Sequence, residues 1–361
     1  MRILIMPDSF KGSLAAVDVA AAMARGIATA MPSATIVQLP VGDGGENTII
    51  NLQKPLQLQK VMTTVTGADG RAINAPYYLQ VSTQTAFIQA ADVVGFADYV
   101  GNAEPLQLST YGIGELLLAA RGNGARHAVI ALGGSATSDG GLGMLQALGW
   151  QVGSKRPFTP DCLPDVTALT AGPDIGMTVT ALADVTNPLT GAHGAAHVFG
   201  PQKGLTTAQQ DWLDAQLTRI YPAATRVVHG AGAAGGLGAA IAGPLHGQIV
   251  PGIDYVLDVL HADTELQRAD YILTGEGKLD GQSAAGKVIS GIKQHAVAVN
   301  SQAPIIALCG AVDHAGVQQL GITAAFTIGR GDESHAEMLM HTAANLEYTA
   351  NQVGRVLQSA N

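Results

Sequence analysis

The sequence predicts an α/β protein of two domains, the second inserted into the first. One observation is a unit that recurs at least five times: a short apolar strand, a glycine-rich loop, then a helix. Such repetition indicates a parallel sheet. Another is a change of style near residue 57, where strand follows strand without helices between them. The length of 361 residues also suits about two domains at the usual ~100–200 residues each.

Residues 2–6 read as a buried strand, followed by the loop Pro7-Asp-Ser-Phe-Lys-Gly-Ser13. A helix then carries Val17, Ala20, Ala21, Ala24, Ile27 and Met31 at helical spacing, with Ser13 as its expected N-cap. Thr35 to Leu39 is a second strand, ending in Pro40-Val-Gly-Asp-Gly-Gly-Glu46 and a short helix from Asn47. Leu58 to Thr66, Arg71 to Val81 and Thr85 to Gln89 form an antiparallel meander, with Ala68-Asp69-Gly70 as a hairpin signal. This meander begins the inserted domain, and Ser109 caps the helix that follows it.

His127 to Trp150 shows the recurring unit most clearly. His127-Ala-Val-Ile-Ala-Leu132 is an apolar strand, and Leu142, Met144, Leu145 and Leu148 mark one face of a helix. Between them Gly133-Gly-Ser-Ala-Thr-Ser-Asp-Gly-Gly141 offers four glycines, three hydroxyls and Asp139. A loop that opens a helix presents unpaired N–H groups and the positive end of the helix dipole, which suits phosphate. The plainer reading is that these glycines only make a tight turn. Further strands at Thr178–Leu182, Tyr271–Thr274, Ile305–Leu308 and Ala324–Ile328 lead into comparable loops. The last helix opens with Ser334 and Glu337 in capping-box spacing. Its stripe of Leu339, Ala343, Leu346, Ala350, Val353 and Leu357 reads as core.

Composition excludes several functions. A net charge of −9 and 4% aromatic residues argue against nucleic-acid binding and against an anionic membrane surface. Cys162 and Cys309 stand far apart without a CxxC, so neither a disulfide framework nor a thiolate metal cluster is indicated. No apolar run reaches the ~18 residues of a membrane span. The opening Met1-Arg-Ile-Leu-Ile-Met6 runs straight into Pro7-Asp8 as a first strand, so a cytoplasmic location is expected.

Charge is scarce, at 13% of residues, and its placement is informative. Asp8, Asp43, Glu46, Asp139, Asp184, Glu276 and Asp280 all fall in loops just after strands, beside glycines. Lys11, Lys203, Lys278 and Lys287 lie in or near the same kind of loop. Ligands of open parallel sheets bind at the carboxyl ends of the strands. Carboxylates for Mg²⁺, lysines for phosphate oxygens and glycine N–H groups are what phosphoryl transfer requires.

Three other motif matches are weaker. Gly281 to Lys287 fits G-x-x-x-x-G-K, but Val288 stands where a metal-binding hydroxyl belongs, so it is not a P-loop. Gly230-Ala-Gly232-Ala-Ala-Gly235 fits the dinucleotide fingerprint, with Asp254 about 20 residues on. That leaves a nicotinamide-dependent dehydrogenase of a small hydroxy acid as an alternative, alongside a non-catalytic anion-metabolite-binding protein. His193 and His197 are spaced like a metal pair but lack an HExxH and a nearby acidic ligand. Gly-Gly-Ser135 is not a GxSxG nucleophile turn.

Taken in order, the loops resemble those of the glycerate kinase family, the bacterial type that phosphorylates D-glycerate with ATP. The matching stretches are Pro7 to Ser13, Asp43 to Glu46, Thr110 to Glu115, Gly133 to Gly141, Ala183 to Leu189 and Pro201 to Gly204. Gly232 to Gly236 and Thr274 to Asp280 follow, with Gln282, Gly286 and Lys287. Three positions depart from the pattern. Asn47 replaces a usual glycine, Gln89 a common glutamate and Ser138 a common asparagine; Gln89 is read as structural.

The resemblance implies a Rossmann- or flavodoxin-like parallel-sheet domain built from both chain ends, 1–57 plus 287–361. It also implies an inserted α/β domain with a mixed sheet, 58–286, and an active site in the cleft between the two. The expected ligands are ATP, Mg²⁺ and D-glycerate. Phosphorylation at C2 is favoured over C3 on the resemblance alone, and a homo-oligomer is allowed. Asp184, Lys11 and Asp8 are the catalytic candidates. Asp184 is the expected base because it ends an apolar strand, and Lys11 the expected cation for the substrate carboxylate or the moving phosphoryl group. Ser9, Asp43, Glu46, Lys203 and Asn187 are expected at the substrate. Gly133, Gly134, Ser135, Thr137, Asp139, Gly232, Gly235, Gly236 and Lys287 are expected at the nucleotide. Glu276 and Asp280 are expected at Mg²⁺, with Asp43 as a further candidate.

Overall fold

The computed structural model describes residues 1–153, 157–279, 288–331 and 333–359. In chain order its strands are β1 (Arg2–Ile5), β2 (Thr35–Gln38), β3 (Gln59–Thr66), β4 (Ala72–Gln80), β5 (Thr85–Gln89) and β6 (His127–Ala131). Then come β7 (Thr178–Ala183), β8 (Gln248–Pro251), β9 (Tyr271–Thr274), β10 (Lys278–Leu279), β11 (Ile305–Cys309), β12 (Ala311–Val312) and β13 (Ala324–Thr327). The chain divides into two compact units, Met1–Asp43 with Ile253–Asn361, and Gly44–Gly252.

The terminal unit holds a five-stranded parallel sheet in the order β13-β11-β9-β1-β2. Numbered within this sheet, that is the flavodoxin-like order 2-1-3-4-5 read from the other edge. The sheet includes Tyr271–Thr274, which the resemblance places in the inserted domain. The reason is burial. Ile3, Leu4 and Ile5 are fully buried, and β1 needs a parallel partner on each side; the apolar run Ile272–Leu273 supplies one of them. The boundaries therefore fall at 43 and 253 rather than 57 and 287.

Val19, Met23 and Ile27 of the Ala16–Ala30 helix pack with Leu346, Ala350 and Val353 of the His335–Ser359 helix in one core. Ser13 does not cap the first helix, whose N-cap position is Ala15. Its hydroxyl instead lies 2.7 Å from the Leu339 carbonyl and 2.6 Å from the Thr342 hydroxyl, tying the loop after β1 to the last helix. The Ser334–Glu337 capping box forms as expected, with Ser334 N–H donating to Glu337 at 2.8 Å.

The Gly44–Gly252 unit holds a mixed sheet in the order β3-β4-β5-β6-β7-β8. The first three strands make the expected antiparallel meander, and β5 to β8 run parallel. Its core gathers Ile88, Ile130, Leu132, Leu145, Leu217 and Leu237. The helix after the meander begins at Tyr111, whose N–H donates to Ser109 Oγ at 3.2 Å.

Asn47, one of the departures from the family pattern, has φ +67° at the start of the Thr48–Gln53 helix. Glycine reaches that left-handed region without cost, and asparagine is among the side chains that tolerate it best. Gln89, a second departure, is buried at the end of β5. Its Nε2 donates to the Gly45 carbonyl at 3.0 Å, and its Oε1 accepts the Ile49 N–H at 3.5 Å. The amide thus braces the 44–49 turn, a structural role; an ionised carboxylate has no proton to donate to that carbonyl.

Candidate active site

In an open parallel sheet the ligand crevice lies where the strand order reverses, outside the carboxyl ends of the strands. In the terminal unit that point lies between β1 and β9. The loops after them are held together by backbone: Met6 N–H donates to Leu273 O at 2.8 Å and Asp8 N–H to Gly275 O at 2.9 Å. The loop after β9 is itself braced by the β10–β12 pairing. A cavity of about 690 Å³ opens there, lined by Asp8, Ser9, Lys11, Asp43, Glu276 and Lys278. Apolar side chains line it too: Phe10, Ile328, Met338 and Leu339.

The carboxylates crowd one another. Burial, Asp43 and Glu276 push Asp8 up to about 7, against the opposing pull of the Ser9 N–H and of Lys11. The Ser9 N–H donates to Asp8 Oδ1 at 2.6 Å. A carboxyl lifted this far sits among negative charge that a cation would relieve. Among the described residues no three carboxylate, imidazole or thiol groups form a ready-made metal cage. Mg²⁺ seldom uses one, being held by one or two carboxylates together with phosphate oxygens and water. The oxygen donors here fit that mode. Asp280 and Lys287 lie outside the described residues.

In the Gly44–Gly252 unit the expected residues gather above the carboxyl ends of β6 and β7. Two loops cross there backbone to backbone. Gly133 N–H donates to Gly44 O at 3.0 Å, and a Cβ on Gly133 would stand 2.4 Å from Gly45 Cα. The Gly232–Gly236 loop lies on the Gly133–Gly141 loop in the same way. Gly140 N–H donates to Gly235 O at 3.0 Å, and a Cβ on Gly235 (φ +64°) would stand 2.0 Å from Thr137 O. Glu46 lies against Gly134. Asn187 donates its amide to His193 O at 2.9 Å and accepts the Gly232 N–H on its own carbonyl at 3.0 Å. Asp184 follows β7 directly and is partly exposed.

Several of these groups are occupied by the protein itself. Asp139, expected at the nucleotide, is fully buried and accepts the Thr110 N–H and hydroxyl (both 2.8 Å), the Gly141 N–H (3.0 Å) and the Gly143 N–H (3.1 Å). It organises the loop instead of facing a ligand. Burial raises its pKa against those hydrogen bonds. Lys203, expected at the substrate, is buried and donates to Thr137 O at 2.7 Å and Ser135 Oγ at 3.2 Å. Burial lowers it to about 8, with Asp139 opposing. The hydroxyl of Thr137 is buried and has no partner among the described residues.

The dinucleotide fingerprint fails on its context. A helical turn, Ala223–Arg226, precedes Gly230 where a strand is required. His197, partly buried, is held by Asp211 at 3.0 Å and by the Gly191 carbonyl at 3.0 Å. Phe10, Ile328, Met338 and Thr342 also line the cavity and stand outside the candidates that the sequence offers. Phe10 was detectable as the one aromatic in a charged glycine turn, and Ile328 as the apolar residue just after β13; Met338 gave no signal.

The model of the Glycerate kinase family matches residues 3–358. A glycerate kinase of Bacillus subtilis is 36% identical over 378 aligned positions, covering 100% of this chain and 98% of that protein. A glycerate 2-kinase of Escherichia coli is 37% identical, covering 91% and 90%. A solved structure described as glycerate kinase 2 of Salmonella typhimurium superposes with a TM-score of 0.85 at 34% identity, covering 100% of this chain and 99% of that one. With match and coverage running the whole length, the chain belongs to the glycerate kinase family and is an enzyme of that class.

Proposed function

We propose that this glycerate kinase transfers the γ-phosphoryl group of ATP to the C2 hydroxyl of D-glycerate, giving 2-phosphoglycerate and ADP. The observation that carries the reading is the meeting of three carboxylates with Lys11 and Lys278 in one cavity at the switch point of a parallel sheet. Such a mixture holds a polyanion together with its cation. The name of the Escherichia coli relative, glycerate 2-kinase, supports C2.

In this reading Asp184 takes the proton of the hydroxyl as its oxygen attacks phosphorus, and the bond to the ADP oxygen breaks. Lys11 neutralises charge on the moving phosphoryl group or the glycerate carboxylate. Glu276, with Asp43 or Asp280, would hold Mg²⁺, whose charge would screen the donor oxygens. Ser9 and Asn187 are assigned to the acid, and the hydroxyls of Ser135 and Thr137 to phosphate oxygens.

A coupled ADP-release assay with D-glycerate, run with and without Mg²⁺, tests the activity. Release should require both ATP and Mg²⁺, and its absence would remove the reading. Phosphorus NMR of the product separates C2 from C3, and a 3-phosphoglycerate resonance would overturn the regiochemistry.

A further inference from the structure

The cavity of the terminal unit is too large and too apolar for its expected small acid. At about 690 Å³ it falls in the ~300–1,000 Å³ range of pockets for drug-sized ligands. A three-carbon hydroxy acid fills a small part of it and has no apolar surface to set against Phe10, Ile328, Met338 and Leu339. A nucleoside triphosphate has a flat base for those apolar side chains and a polyphosphate for the lysines and carboxylates of the same cavity.

This apolar lining is built rather than incidental. Ile328 and Phe10 are buried, and Met338 lies over Gly329, with its Cε 3.2 Å from where a Cβ would stand. Thr342 bonds back to the Met338 carbonyl at 2.9 Å and is tied to Ser13, which braces the helix against the loop that carries Lys11. Leu339 is 37% exposed although it belongs to the apolar stripe of its helix, while Leu346, Ala350 and Val353 of that stripe are buried. An unbranched thioether adapts well to a planar ring.

We infer that the base and ribose of the nucleotide lie against this apolar lining, so that the terminal unit is the nucleotide-binding unit. This rests on the reading that ATP is the donor. It assigns the base and ribose to this cavity and not to the glycine loops of the Gly44–Gly252 unit, several of whose N–H groups are used on each other's carbonyls.

The test is calorimetric binding of Mg-ADP and of tripolyphosphate to the full chain carrying Met338→Glu. A carboxylate in this lining should weaken ADP at least about tenfold, equivalent to about 1.4 kcal/mol. Tripolyphosphate affinity and the KM for D-glycerate should stay within about twofold, and Met338→Leu should restore ADP binding. Leu339→Glu, at a more exposed position, serves the same purpose where Met338→Glu does not fold. Wild-type ADP affinity in the folded Glu variants, or a rise confined to the glycerate KM, overturns the inference, as does a wild-type protein that binds no ADP. Because binding is read without turnover, a wild-type protein that binds ADP as expected but phosphorylates no glycerate would sink the proposed reaction and leave this site standing.

Discussion

The two sets of glycine-rich loops have similar compositions and opposite uses of charge. In the terminal unit, Asp8, Asp43 and Glu276 line a cavity, and burial together with repulsion from the other two lifts Asp8 to about 7. In the Gly44–Gly252 unit, Asp139 and Lys203 are buried and bonded to backbone and hydroxyls. A charge in a loop after a strand can therefore serve a ligand or hold the loop itself. What separates the cases is where the group stands: Asp139 and Lys203 are enclosed within their loops, whereas Asp8, Asp43 and Glu276 line a cavity.

Substitutions can break this comparison. The largest effects should come from groups meant for the reaction. Asp184→Asn should lower turnover by ~10²–10⁴-fold with the fold unchanged by circular dichroism, and near-normal turnover would exclude Asp184 as the base. Lys11→Ala should raise the glycerate KM, lower kcat, or both; unchanged steady-state kinetics would remove it from the site.

Asp139→Ala is next, and here stability should suffer. It strands buried donors that the carboxylate now satisfies, at a cost of about 3–5 kcal/mol. Denaturant unfolding would show it, and a variant of unchanged stability would contradict the loop-holding role.

Asp8→Asn should do the reverse. The folded-state pKa of Asp8 lies above its unfolded value, so the native state binds the extra proton and loses stability as pH rises from about 4 to about 7. The penalty is complete above that window. Asn should therefore stabilise the protein at pH 8, by up to ~4 kcal/mol, with the gain vanishing toward pH 4. A gain that is the same at both pH values would refute the raised pKa of Asp8. The smallest effect should be at Asn47, where Ala at φ +67° should cost about 1 kcal/mol and Gly less.

Much of the fold was legible. The apolar runs of β1, β6, β7, β9 and β11 and the hairpin at 67–71 follow from patterns a few residues long, and the carboxylates and lysines of the site stand beside glycines just after those strands. Ser13 shows where local reading stops. It has the chemistry of an N-cap, but a hydroxyl more than 300 positions away competes for it. The apolar stripe of the last helix shows it again, since a spacing of three and four marks a buried face whether a core or a ligand covers it.

Local sequence determined which segments become strand, turn and helix, because backbone propensity and apolar period act over a few residues. It also determined that the charges sit at strand ends. The return of β9 beside β1 was decided only in three dimensions, as were the turning of Asp139 inward and Asp8 outward, and the exposure of Leu339 to a cavity. Each depends on contacts between residues far apart in the chain. Burial and the competition for hydrogen bonds are set by those neighbours, and no window along the sequence contains them.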